Sequence, residues 1–520
     1  MERMMKKSMR FFSILLLTGT LTAFPACDSV APAETTDPAS SSTEAPVTEP
    51  VNELTEIENG RGLAASYYVN TLANSVADPF IFYENGVYYL YCTGGSQFKV
   101  RTSKNLTSWV VQETPILKLS DTSWAQEKGW APEFYKYNGK YYLIFSAKGK
   151  SGYHAIDIAV CDTPNGVFKP VNDQPLYAPD YSVIDASLLF DDDGRIYLFY
   201  SKDNSTNYVN GKRTSQTWGI ELKTDFSGTI GEPVLISTPE QPWEMLSGSV
   251  VWNEGPIVFK ENGKYYLLYS ANYYQKKDYS VGYAVGETPL SFYKKEKNAR
   301  ILLGNGETVT GPGHCNIFRS PDGTELFLCY HVHTVPPTSD GGRSLAIDRL
   351  IVKEDGTLSV DGPSEVRRPL PSGLGGYTHI RDGFIASAEG EDAEFPKRSS
   401  TDYLFDGVVS RNFSDILSFG KDGGSLVLNF ETPTTDLGSI WIYPCVYDGY
   451  APASVDVEIN GKYLIRDLLF LGTKGAPVTA NLDKLPEGTA VESVRVIVHP
   501  KDGNSYAALA EVILISKKAQ

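Results

Sequence analysis

The chain has 520 residues, 41% hydrophobic and 21% charged, which suits two or three domains with sizeable cores and excludes a wholly disordered chain. Its formal net charge of −16 argues against binding nucleic acid or an anionic membrane surface through charge. Its 32 Tyr and 7 Trp suit half-buried strands and sugar-stacking surfaces.

Residues 1–26 read as a lipoprotein-type signal peptide. Met1 to Arg10 is basic, and the apolar run from Phe11 to Ala23 is too short to span a bilayer. Leu21-Thr22-Ala23-Phe24-Pro25-Ala26-Cys27 is similar to a bacterial lipoprotein box, although Phe24 and Pro25 depart from its usual pattern. The expectation is an exported protein of the bacterial cell surface or periplasm, lipidated at Cys27 and touching the membrane only through that anchor. Residues 27–64, rich in Ser, Thr, Pro and Glu, cannot build a core and read as a flexible tether. The six cysteines form no CxxC pair and suggest no disulfide framework.

From residue 65 to 370 the pattern is all-β. One hairpin motif recurs five times: Asn85-Gly86, Asn138-Gly139, Asp193-Gly194, Asn262-Gly263 and Asp322-Gly323, each followed by a strand-like run such as Lys-Tyr-Tyr-Leu. Asn-Gly and Asp-Gly supply the positive φ angles of tight antiparallel turns. Five units of about four strands each predict a five-bladed β-propeller. Innermost strands line the central channel, so the residues that open them converge. Counting back nine residues from the turn glycine gives Asp185, Glu254 and His314 in the last three repeats; Trp130 stands nine back in the second, and Asp78 eight back in the first. Converging ionisable groups are costly as architecture alone, which favours a functional reading. His331 and His333 share one face of a strand and read as structural. Glu133 reads as a support for the channel rather than a catalyst.

Val76-Ala77-Asp78-Pro79-Phe80, Trp130-Ala131-Pro132-Glu133, Ile184-Asp185-Ala186-Ser187, Asn253-Glu254-Gly255-Pro256 and Gly311-Pro312-Gly313-His314 together resemble glycoside hydrolase family 43, one motif per repeat and in order. The resemblance implies an inverting glycosidase acting on arabinose- or xylose-containing plant polysaccharide (arabinan, xylan) or its oligosaccharides. It implies Asp78 as general base, Glu254 as general acid, and Asp185 as the residue that orients the acid and tunes its pKa. Trp130 reads either as a sugar-stacking wall or as a packed inner-blade aromatic, and Arg343 resembles a family arginine near the sugar or else forms a last-blade salt bridge. The resemblance also implies a calcium ion on the axis near His314, held largely through water. The lean is to α-L-arabinofuranosidase or arabinanase activity. The alternatives are a β-xylosidase or a non-catalytic glycan-binding propeller, and retention of all three acids argues against the last.

Residues 371–398 read as a linker rich in Gly, Ser and charge. Residues 399–520 alternate as strands, for example Ser425 to Phe430 and Val494 to Val498, and resemble a galactose-binding-like jelly roll, a β-sandwich and candidate carbohydrate-binding domain.

Overall fold

The computed structural model describes residues 54–61, 67–297, 299–390, 401–409 and 415–517. The signal segment, Cys27 and most of the tether lie outside the described residues.

Residues 80–360 include five antiparallel sheets, each built on four strands paired in chain order, with short strands between them in the first and third pairing elsewhere. Their innermost strands are Phe80–Glu84, Ala125–Tyr137, Val183–Phe190, Asn253–Glu261 and Gly313–Arg319, taken as blades 1 to 5. The second strand of each blade is apolar on both faces, because alternate side chains meet different neighbours. In blade 4, Leu267 and Tyr269 pack with Phe199 of blade 3, whereas Tyr266 and Leu268 pack with Leu328 and Tyr330 of blade 5. The same alternation gives a core at every seam. Phe134 and Phe145 meet Phe80 and Tyr91; Ile144 meets Leu188 and Leu198; Phe327 and Cys329 meet Ile81 and Leu90. That last cluster joins blade 5 to blade 1 and closes the ring. The two-residue strand Ala73–Asn74, paired with Ser344 and Leu345, adds an N-terminal clasp on blade 5.

The five repeated turns fall into two kinds. Each Asn-Gly is a two-residue hairpin with both residues at positive φ, closing Glu84 on Val87, Tyr137 on Lys140 and Glu261 on Lys264. The two Asp-Gly turns lie in longer loops, Phe190 to Ile196 and Arg319 to Leu326, where only the glycine is left-handed. Each Asp instead binds backbone N–H groups through its carboxylate, Asp193 at Arg195 and Asp322 at Thr324.

The C-terminal sandwich is larger than its sequence boundaries. One sheet runs in the order Thr55–Glu56, Tyr463–Leu469, Pro452–Ile459, Val491–Pro500, Gly424–Thr434, Phe384–Glu389. The other contains His379–Ile380, Leu417–Phe419, Ala507–Ser516, Leu437–Pro444 and Val478–Asn481. The segment read as a linker, 371–398, therefore supplies two strands, its residues 391–398 lying outside the described residues. Phe384, Ala386 and Ala388 face the core while Ile385 is 64% exposed, an alternation that small residues disguise as linker composition. The end of the tether is likewise structured, Thr55 and Glu56 pairing in parallel with Tyr463 and Leu464 as Ile57 packs on the core. Propeller and sandwich meet at buried Glu325, which binds Arg349 at 3.1 Å, His379 at 2.9 Å and Arg381. Burial opposes that charge, and Arg349, His379 and Arg381 together hold the carboxyl well below the usual range.

Candidate active site

Four of the innermost strands begin with a kink. The register with the second strand slips between Trp130 and Glu133, Ile184 and Ser187, Glu254 and Ile257, and Gly313 and Asn316. One residue at each kink is left-handed: Ala131 (φ 43°), Asp185 (58°), Gly255 (57°) and His314 (47°), matched in blade 1 by Asp78 (54°). The equivalent residues are therefore Asp78, Ala131, Asp185, Gly255 and His314. Glu254 sits one place earlier, level with Trp130. Counting from the turn glycine misaligns it because the Asp-Gly loops of blades 3 and 5 are longer. A Cβ on Gly255 would lie 3.1 Å from His314 Nδ1, and blade 4 presents its acid from the preceding residue.

These residues line one cavity of about 260 Å³, whose walls include Asp78, Trp130, Asp185, Glu254, His314 and Arg343. Asp78 sits among donors: Arg343 Nη1 at 2.7 Å and His314 Nδ1 at 3.4 Å from Oδ1, with the Thr93 hydroxyl donating to Oδ2 at 2.5 Å. Burial alone would raise its pKa. Arg343, His314, His331 and Thr93 outweigh that and hold the carboxyl well below the usual range, so it stays ionised. The Asp78 N–H donates to His331 Nδ1 at 3.3 Å, which leaves that nitrogen unprotonated. Burial and the Arg343 charge keep the His331 imidazole neutral.

Across the cavity the electrostatics reverse. Burial, and then the charge of Asp185, push Glu254 well above the usual carboxylate range, opposed by a 3.0 Å hydrogen bond from the Tyr279 hydroxyl to Oε1. Asp185 accepts the Gly255 N–H at 3.0 Å, and burial pushes it up to about 6, the charge of Asp78 adding and His314 opposing. Tyr279 is fixed by its ring, stacked on His331 at 5.7 Å, and by Gly313, where a Cβ would lie 2.1 Å from that ring.

The other sequence candidates fall around this centre. Trp130 stacks on His154 at 4.5 Å, and Arg343 also lies over the Tyr274 ring at 4.8 Å. Glu133 accepts from Asn316 at 2.9 Å and from Tyr135, whose hydroxyl accepts the Leu188 N–H; it braces blades 2, 3 and 5. His333 bridges Thr310 and the Tyr274 carbonyl. Thr93, Asp203, Trp252, Tyr273, Tyr274 and Tyr279 also line the cavity and escaped the sequence reading, because they lie outside the strand openings where the repeat brings residues into line. The donor set near His314 does not by itself fit calcium, which takes six to eight oxygen ligands. His314 offers nitrogen, Asp78 and Asp185 are already engaged, and no cluster of three or more metal-ligating side chains occurs among the described residues.

The chain is similar to known proteins over the propeller. A family model described as Glycosyl hydrolases family 43 matches residues 69–358. A β-D-galactofuranosidase of Aspergillus niger is 28% identical over 305 residues, 54% of this chain and 81% of the fungal protein. An α-L-arabinofuranosidase of Humicola insolens is 27% identical over 325 residues, 58% and 65% of the two chains. The crystal structure of a thermostable family-43 glycoside hydrolase is 40% identical, with a TM-score of 0.56, covering 58% of this chain and 99% of that one.

Proposed function

The chain belongs to glycoside hydrolase family 43, and from that premise we propose that it cleaves O-glycosidic bonds in arabinose- or xylose-containing plant polysaccharide or its oligosaccharides with inversion, Asp78 acting as base and Glu254 as acid. It is a glycoside hydrolase. The observation that carries the division of labour is the opposite displacement of two carboxyls in one cavity, Asp78 held ionised and Glu254 held protonated. Inversion needs one carboxylate to take a proton from water on one face of the sugar and one carboxylic acid to protonate the leaving oxygen on the other. Tyr279 occupies Glu254 Oε1 as a donor, so the acid's proton resides on Oε2, free to meet the glycosidic oxygen. Asp185 keeps that proton in place through its charge, and its bond to the Gly255 N–H fixes the backbone beside the acid. Arg343 holds Asp78 in position and presents further donors to the sugar.

The lean to α-L-arabinofuranosides is supported by the arabinofuranosidase relative. The galactofuranosidase relative points the same way, since α-L-arabinofuranose and β-D-galactofuranose share their ring configuration and differ in the group on C4. A panel of aryl α-L-arabinofuranoside, β-D-galactofuranoside and β-D-xyloside tests the choice, with the furanosides expected to be cleaved fastest; a xyloside preference overturns it. Proton NMR of the first-formed sugar should show inverted configuration at C1, and retention would refute the roles of Asp78 and Glu254. The basic and apolar N-terminal segment supports export, with a lipid on Cys27. Mass spectrometry of protein from the native host should find that modification; a mature chain beginning elsewhere would refute it.

A further inference from the structure

A carboxylate that this mechanism leaves idle lines the same cavity. Asp203 stands just after the second strand of blade 3 (Ile196–Lys202), beside the strand that carries Asp185. Its own N–H donates to the Ser182 carbonyl at 3.0 Å, and its Oδ1 accepts the Ser205 N–H at 2.9 Å, closing a tight turn. Of the neighbouring basic groups, His154 is kept neutral by burial, which pushes it down to about 4, and Arg213 and Lys202 are committed elsewhere. Arg213 donates to the Asn204 carbonyl at 3.1 Å and to its side-chain oxygen at 3.3 Å, and Lys202 Nζ lies 4.1 Å from the centre of the Tyr181 ring. Among the described residues no donor within hydrogen-bond distance serves Asp203 Oδ2.

A half-buried carboxylate near two other acids, Asp185 and Glu254, costs stability unless something uses it. An unserved carboxylate oxygen only accepts hydrogen bonds, and sugar hydroxyls are donors. We propose that Asp203 is a substrate-binding residue whose Oδ2 accepts from a hydroxyl of the sugar unit in the cavity. This inference rests on the glycosidase reading above and assigns that site a specificity element on its blade 3 wall.

Asp203→Asn is the discriminating variant, because its amide oxygen still accepts the Ser205 N–H and keeps the turn. It is assayed in the full chain on an aryl α-L-arabinofuranoside and on the 2-deoxy and 3-deoxy analogues. Loss of a charged acceptor should lower kcat/KM on the parent glycoside about tenfold to a hundredfold. On the analogue lacking the recognised hydroxyl, already slow with the unmutated enzyme, the substitution should cost no more than about twofold. The basic limb of the pH profile should also move to lower pH, since removing a negative charge eases ionisation of Glu254. A merely structural role would move neither. Equal losses on all three glycosides, or an unchanged kcat/KM on the parent, would overturn the proposal. An unmutated enzyme inactive on aryl glycosides and equally inactive on arabino- and xylo-oligosaccharides would instead refute the proposed substrate reading. Should Asp203→Asn fail to fold, Asp203→Ser, whose hydroxyl can also cap the turn, decides by the same comparison.

Discussion

Tyr279→Phe isolates a single hydrogen bond to the proposed acid. The hydroxyl donates to Glu254 Oε1 at 3.0 Å and lowers the pKa that burial and Asp185 raise. The ring should stay in place without it, stacked on His331 and packed against Gly313. A hydrogen bond to a charged group contributes about 1.5–3 kcal/mol. At 1.36 kcal/mol per pKa unit, its loss should raise the Glu254 pKa by about 1–2 units. Glu254 must be protonated to act, so the enzyme stays active to higher pH, and the basic limb of kcat/KM on an arabino-oligosaccharide should shift upward by that amount. The acidic limb, set by Asp78, should not move. Reducing-sugar release followed up to pH 9 measures the basic limb, and the Asp78 limb lies below the usual carboxylate range, under pH 4. A basic limb that is unmoved, or displaced to lower pH, would refute the assignment of Glu254 as the acid or of Tyr279 as its donor.

Glu254→Gln should slow oligosaccharide cleavage by about 10²–10⁴-fold while sparing an aryl glycoside whose phenolate departs unaided, whereas Asp78→Asn should cripple both alike; equal losses for Glu254→Gln would show its role misassigned. Arg343→Met removes the strongest of the charges that hold Asp78 low, so the acidic limb should move to higher pH, and an unmoved limb would contradict that cause. Gly255→Ala puts a Cβ on a left-handed residue (φ 57°) and 3.1 Å from His314, and should cost about 1–3 kcal/mol of stability, read as a lowered Tm; an unchanged Tm would contradict both the backbone strain and the close contact.

Much of the site was legible because a propeller turns sequence repetition into spatial convergence. Asp78, Trp130, Asp185 and His314 open successive strands, and closing the ring brings them to one cavity with Glu254 and Arg343. The same reasoning failed by one residue at Glu254. The repeat was measured from the turn glycine, and only hydrogen-bond pairing distinguishes a two-residue Asn-Gly hairpin from the longer Asp-Gly loop. The segment 379–389 was misread because Ala and Ser alternate without the bulky contrast that marks a strand, although Phe384 and its partners bury one face.

From the order of residues alone came the all-β class, the five hairpins, and the acids that open the strands, since turn chemistry and period-two alternation act over a few neighbours in the chain. The electrostatic sorting of those acids required the tertiary structure. Nothing local makes Asp78 more acidic than Glu254. The difference arises from Arg343, His314 and His331, all more than 200 residues away in sequence, converging on one carboxyl, while burial and Asp185 act on the other. Tyr279 and Asp203 likewise acquire meaning only through ring closure, because a hydroxyl or a carboxylate on a propeller loop has no address until the cavity exists.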